Sequence, residues 1–234
     1  MDKSKVISEL NPKSPVAEAF RILRTNLQFT AIDKPFKTIL VTSASPSEGK
    51  SSTVANLGTV LAQAGHKVII VDCDLRKASQ HVHFGLPNNS GLTNILVGGM
   101  ELGLVLRDTN QPNLKVITSG PIPPNPAELL GSTKTKELLE KLTTLADIVL
   151  VDSPPVLAVA DAPILSAMVD GTLMVIRSAK TKIEAVKQAK DRLEKANSRI
   201  IGAVLNAVES AHGGYYYDYA YYGDSTKQAA AAKM

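Results

Sequence analysis

Continuously apolar runs alternate with amphipathic stretches along most of this chain. TILVTS (38–43), KVIIVD (67–72), NLKVITSG (113–120), DIVLVDSPP (147–155), GTLMVIRS (171–178) and RIIGAVLNAV (199–208) are short, apolar and rich in β-branched residues, which predicts six strands. The segments 51–65, 134–146 and 181–197 carry helical spacing, and Gly65 is placed to stop the first of them. A further helix is predicted over 14–30. Ser14 can cap it, Pro15 suits its first turn, and Val16, Phe20, Leu23 and Leu27 share one face. Glu18, Arg21 and Arg24 lie three apart on another side and read as a solvated face with internal ion pairs. Strands that are apolar throughout need cover on both faces. The pattern therefore predicts an α/β domain, doubly wound, with a mostly parallel sheet between two layers of helices. It spans residues 1–209, with no internal repeat and no second domain, and a tail follows over 210–234.

The tail raises its own question. All six tyrosines of the chain, Tyr215, Tyr216, Tyr217, Tyr219, Tyr221 and Tyr222, fall in GGYYYDYAYYG (213–223). The run does not alternate as a half-buried strand should, and its glycine, alanine and polar flanks have the composition of a mobile terminus. Composition alone leaves an inert tail and a substrate or binding tail both open.

Bulk properties narrow the picture little further. The 234 residues suit one domain with a real core, and the net charge of +4 permits an anionic ligand without requiring nucleic acid. The single cysteine, Cys73, excludes an internal disulfide and points to a reducing compartment. The N-terminus lacks a signal-like apolar stretch, and the most apolar region, 148–176, is broken by Asp152, Asp161 and Asp170. A soluble protein is expected, reaching a membrane only through a partner.

Ligands of such sheets bind beyond the carboxyl ends of the strands, and four motifs fall there. ASPSEGKSS (44–52) matches the phosphate-loop pattern GxxxxGK[ST], with Ala44 in place of the first glycine. Pro46, Ser47, Glu48 and Gly49 should wrap phosphate oxygens, Lys50 should reach the β- and γ-phosphates, Ser51 should face Mg²⁺, and Ser52 the α-phosphate. VIIVDCD and IVLVDSPP put Asp72, Asp74 and Asp152 at strand ends. Three carboxylates beside a phosphate loop suggest metal orientation or deprotonation of a nucleophile, and Asp72 and Asp74 are expected to have different roles. Asn206, ending the last run, can be a turn former or a reader of an adenine edge.

Together these residues resemble the bacterial tyrosine kinases of capsule and exopolysaccharide synthesis. The resemblance rests on the phosphate loop followed by hhhhDxD and hhhhDxPP, on EAFRILR as an ExxRxxR oligomerisation motif (Glu18, Arg21, Arg24), and on the terminal tyrosines. Two departures stand out, Ala44 and the Ala78 that replaces the proline usual in DLRKP. The resemblance implies a P-loop NTPase architecture like that of MinD and ParA. It also implies ATP and Mg²⁺ as cofactors, and autophosphorylation in trans of Tyr215–Tyr222 within a ring, an octamer. Expected partners are the cytoplasmic segment of a transmembrane polysaccharide co-polymerase, as activator, and a tyrosine phosphatase, with no nucleic acid. The expected location is cytoplasmic, at the inner face of the membrane through the activator. In this reading Lys50 meets transition-state charge, Ser51, Asp74 and Asp152 hold Mg²⁺ or its waters, and Asp72 activates the tyrosine hydroxyl, with the division among the aspartates open. The competing reading is a MinD/ParA-like ATPase acting as a nucleotide-switched positioning protein. Such proteins carry a lysine where this chain has Ser45. A ring that organises polysaccharide machinery with weak catalysis is a third.

Overall fold

A computed structural model describes residues 6–30 and 35–208 of the chain; the tyrosine cluster lies outside the described residues. Seven strands form one sheet: β1 (Thr38–Ser43), β2 (Val68–Asp72), β3 (Leu106–Asp108), β4 (Leu114–Ile117), β5 (Ile148–Asp152), β6 (Gly171–Arg177) and β7 (Ile200–Asn206). Their spatial order is β3-β4-β2-β5-β1-β6-β7, and every pairing is parallel except β3 against β4. All six predicted strands are present, most with trimmed ends. The seventh, β3, has three half-exposed or exposed residues, too few to show a period.

The helices are α1 (Ile7–Leu10), α2 (Pro15–Thr30), α3 (Lys50–Gln63), α4 (Gln80–Phe84), α5 (Leu92–Gly98), α6 (Leu102–Val105), α7 (Pro126–Leu130), α8 (Thr133–Leu142), α9 (Asp161–Ser166) and α10 (Ile183–Lys195). The four long ones lie where periodicity predicts them. Gly65, at φ +93°, breaks the chain after α3 as expected.

Parallel strands need cover on both faces, and they have it. One apolar cluster joins α2 and α3 to one face of the sheet, and a second joins α5, α7, α8 and α9 to the other. Every residue of β1 and β2 is buried. The helix α3 is buried on nearly all sides. Deleting a side chain such as Leu57, fully buried there, should cost about 2–5 kcal/mol.

The helix α2 begins as expected, with Ser14 Oγ accepting from Ala17 N at 3.1 Å. Its buried stripe is shifted by one position. Ala17 is fully buried, Leu27 buried, and Phe20 and Leu23 pack on the core, whereas Val16 is 45% exposed. The shift follows from helical geometry, since 17, 20, 24 and 27 recur at three and four residues. Position 24 on that stripe is Arg24, whose guanidinium donates to Val60 O of α3 at 3.0 Å. Of the charged trio, only Glu18 and Arg21 form the expected ion pair, at 2.8 Å.

Candidate nucleotide site

The sheet brings the predicted site residues together. β2, β5 and β1 are neighbours, and Asp72 is in register with Asp152. Their carboxyl ends, with the loop 44–49 leading into α3, enclose a cleft of about 380 Å³. Its walls include Ser47, Lys50, Ser51, Asp74 and Pro154, with Arg76 and Lys77 at the mouth.

The loop is preshaped. Ser47 (φ +63°) and Gly49 (φ +96°) both adopt left-handed backbone, which turns the chain into a concave ring of N–H groups at the start of α3. A Cβ at Gly49 would also push aside the Asn206 amide, which braces the loop. Ala44 is fully buried and keeps ordinary backbone, so its methyl brings no strain where the motif has glycine. Its N–H donates to Glu48 Oε2 at 3.1 Å, and Glu48 Oε1 accepts from Thr181 Oγ1 at 2.8 Å. The Glu48 carboxylate is therefore turned into the protein, and what Glu48 offers a ligand is its backbone N–H. Arg177 donates to Ser47 O at 3.2 Å and Asn206 Nδ2 to Glu48 O at 3.0 Å. Asn206 thus braces the loop, a role its sequence position does not suggest.

Lys50 is the centre of charge. Its Nζ lies 2.9 Å from Asp74 Oδ2, 3.1 Å from Ser51 Oγ and 3.8 Å from Asp152 Oδ1. Burial alone would pull its pKa down; the carboxylates of Asp152 and Asp74 outweigh that and hold it above the usual lysine value. Ser52 sits exposed on the first turn of α3.

The three aspartates differ in their surroundings, because Asp72 and Asp152 end their strands whereas Asp74 lies two residues beyond the end of β2. Asp74 accepts from Lys50 and, through Oδ1, from Lys77 N at 2.9 Å. Asp72 is fully buried and accepts from the backbone N–H groups of Asp74, Ser79 and Gln80 at 3.3, 3.0 and 2.9 Å. Burial first, then the Asp152 charge, push its pKa up to about 8 against those N–H groups. Asp152 is likewise fully buried with its pKa raised by burial, opposed by Lys50 and Gln80. Its Oδ1 has no hydrogen-bond partner. A buried carboxylate oxygen that accepts no hydrogen bond and faces the Lys50 ammonium at 3.8 Å, near a serine hydroxyl, fits a hydrated Mg²⁺, which takes one or two protein oxygens and keeps its waters. Cys73, between two aspartates, is buried and its thiol is pushed well up, so it is a packing residue rather than a thiolate.

Several residues at the site carry no sequence signal. Gln80, Arg177 and Thr181 sit in no motif. Arg76 forms a two-bonded pair with the fully buried Asp161, at 3.0 and 3.2 Å. Asp161 reads from the sequence only as a break in an apolar region.

Known proteins resemble this chain in sequence and fold. The profile described as AAA domain matches residues 36–205. The tyrosine-protein kinase YwqD of Bacillus subtilis is 45% identical over 219 residues, covering 93% of this chain and 91% of its own. The tyrosine-protein kinase wzc of Salmonella typhimurium is 36% identical over 227 residues, which are 95% of this chain and only 32% of wzc. The solved kinase domain of Escherichia coli tyrosine kinase ETK superposes with a TM-score of 0.84 at 35% identity, covering 92% of this chain and 87% of its own. The likeness to the cell division ATPase MinD of Pyrococcus furiosus is weaker, with a TM-score of 0.63 at 25% identity and 72% and 71% coverage. With the phosphate loop, the paired strand-end aspartates and the sheet order all in place, the chain belongs to the bacterial tyrosine kinases, built on the P-loop ATPase fold that MinD also uses.

Proposed function

We propose that this chain transfers the γ-phosphate of ATP, with Mg²⁺, to the hydroxyls of Tyr215, Tyr216, Tyr217, Tyr219, Tyr221 and Tyr222. The observation that carries the reading is Lys50 at the head of a preformed phosphate loop, between Asp74 and Asp152. Bound Mg²⁺ would neutralise charge developing on the phosphates. Lys50 moves from Asp74 onto a phosphate oxygen, which frees Asp74 Oδ2. The loop N–H groups and Lys50 would then hold the phosphates, and Ser51, Asp74 and Asp152 are the residues that would hold Mg²⁺. Asp72 takes the proton as the tyrosine oxygen bonds phosphorus and ADP leaves. A raised pKa near neutrality suits a base, and the tyrosine it must help has a pKa near 10. Since Asp72 is covered, its use requires the segment 75–79 to part.

Transfer runs in trans within a ring, an octamer, assembled partly through Glu18, Arg21 and Arg24 of α2. Each phosphate adds about −1.5 to −2 charge to the tail, so successive transfers weaken docking in an acidic site and favour release. The ring is activated by the cytoplasmic segment of a transmembrane co-polymerase, reset by a tyrosine phosphatase, and regulates capsule or exopolysaccharide synthesis. Among the described residues no helix is long and apolar enough to cross a membrane, so recruitment to the inner face is assigned to the activator. The MinD likeness supports a second reading, a nucleotide-switched positioning protein.

Peptide mass spectrometry of the tail separates the two. Protein that has been dephosphorylated and given Mg-ATP should regain phosphate on Tyr215–Tyr222, and Lys50→Met should not. A tail unmodified in every sample, with an activator segment added, favours the switch.

A further inference from the structure

Gln80 lies outside every motif, yet its single side chain and N–H tie three of them together. It is fully buried in the first turn of α4. Its Nε2 donates to Asp152 Oδ2 at 2.7 Å and to Ser51 O at 3.0 Å, and its backbone N donates to Asp72 Oδ2 at 2.9 Å. Both side-chain partners are acceptors, so the amide orientation is determined: the NH₂ must face them. Its Oε1 is left buried with no partner, a cost that a residue present only for packing would avoid.

The consequence falls on Asp152. With Oδ2 held by Gln80, the carboxylate cannot rotate, and Oδ1, which accepts no hydrogen bond, is the oxygen left on the side of Lys50 and Ser51. Because the same NH₂ also binds the Ser51 carbonyl, the Asp152 carboxylate and the first turn of α3 are held at a fixed separation. We propose that Gln80 is a positioning residue for Mg²⁺, which it never touches: it presents Asp152 Oδ1 and the Ser51 hydroxyl to the hydrated ion as one preset pair. Outer groups that orient a metal's ligands typically change metal affinity or activity about 10–100-fold when removed. The inference rests on the Mg-nucleotide part of the reading above and is independent of the phosphate acceptor.

The test reads binding rather than turnover. A fluorescent ADP analogue is titrated into wild type, Gln80→Met and Gln80→Asn, first in EDTA and then across a Mg²⁺ series at fixed nucleotide. Gln80→Met keeps the side-chain length and removes both bonds. Gln80→Asn keeps the amide but is one methylene too short to reach both acceptors, and serves if the first variant does not fold. Expected in either variant is an affinity in EDTA within about twofold of wild type, with the Mg²⁺ concentration for half effect raised about tenfold or more. A Mg²⁺ series that superimposes on wild type overturns the proposal. So does an equal loss with and without Mg²⁺, which would make Gln80 a tie for the phosphate loop alone. Wild type that binds no nucleotide in either condition overturns the parent reading instead.

Discussion

The centre of the sheet and its β6–β7 side do different work at the same site. β1, β2 and β5 are buried along nearly their whole length and carry the phosphate loop, Asp72 and Asp152 at their carboxyl ends, the groups assigned above to the reaction. β7 is a half-exposed edge strand, and with the end of β6 and the turn after it delivers only supports: Arg177, Thr181 and Asn206, each bonded to Ser47 or Glu48 of the phosphate loop. The centre places charge where water is excluded and interactions are strong. The edge places neutral or partly exposed donors that fix the shape of the loop. Chemistry and preorganisation are thus drawn from different strands, and substitutions in the two should fail differently.

The largest loss is expected at the centre. Lys50→Met should reduce transfer to the tail by about 10³-fold or more, as removal of a charge clamp in phosphoryl transfer does, while the fold survives. A radiolabel assay with far-ultraviolet circular dichroism checks both. Asp72→Asn should follow, with a loss of about 10²–10⁴-fold if it is the base. A loss below tenfold would make Asp72 the anchor of the segment 74–80 that its three N–H contacts also describe.

The edge should give a different signature. Asn206→Ala removes one hydrogen bond, and Thr181→Val removes two, to Glu48 and from Arg177 N; at about 1 kcal/mol each they should raise KM for nucleotide several-fold with kcat little changed. Equal losses in kcat would erase the distinction between the two regions.

Asp72 also makes the centre pH-sensitive. Its folded pKa, about 8, lies above the unfolded value of 3.8, so between these limits the folded state holds a proton that the unfolded state has lost. Without nucleotide or metal, its contribution to stability is fully present below about pH 4, declines as pH rises toward 8, and is flat above that. Urea melts across this range should show that decline in wild type and a shallower one in Asp72→Asn, where Asp152, also raised by burial, still contributes.

The smallest effect on stability belongs to α2. Glu18→Ala breaks an exposed pair and should change stability by under about 0.5 kcal/mol. If the helix builds the ring, the same variant shifts the assembly on a sizing column.

The contrast between regions also explains what the sequence revealed. The central strands are legible because burial on both faces demands unbroken apolar runs, and an aspartate ending such a run has few structural reasons to be there. Asp72 and Asp152 follow from that and Lys50 from the phosphate-loop pattern, and Lys50 meets Asp74 at 2.9 Å and Asp152 at 3.8 Å. The supports are illegible for the opposite reason. Thr181, Arg177 and Gln80 act through contacts spanning 133, 130 and 72 residues, and nothing in their neighbours marks them. Asn206 stood out only as a strand end. Val16 was placed on the wrong side of α2 because an arginine, Arg24, occupies part of the stripe facing the core. β3, at three residues, carries no period at all.

One mixing experiment tests the central claim most directly. Lys50→Met, which keeps the six tyrosines, is combined with a chain in which all six are phenylalanine, and labelled ATP and Mg²⁺ are added with an activator segment. Label is expected on the Lys50→Met chain in the mixture and on neither chain alone. No label in the mixture, under conditions where wild type labels itself, would contradict transfer between subunits from this cleft to that tail.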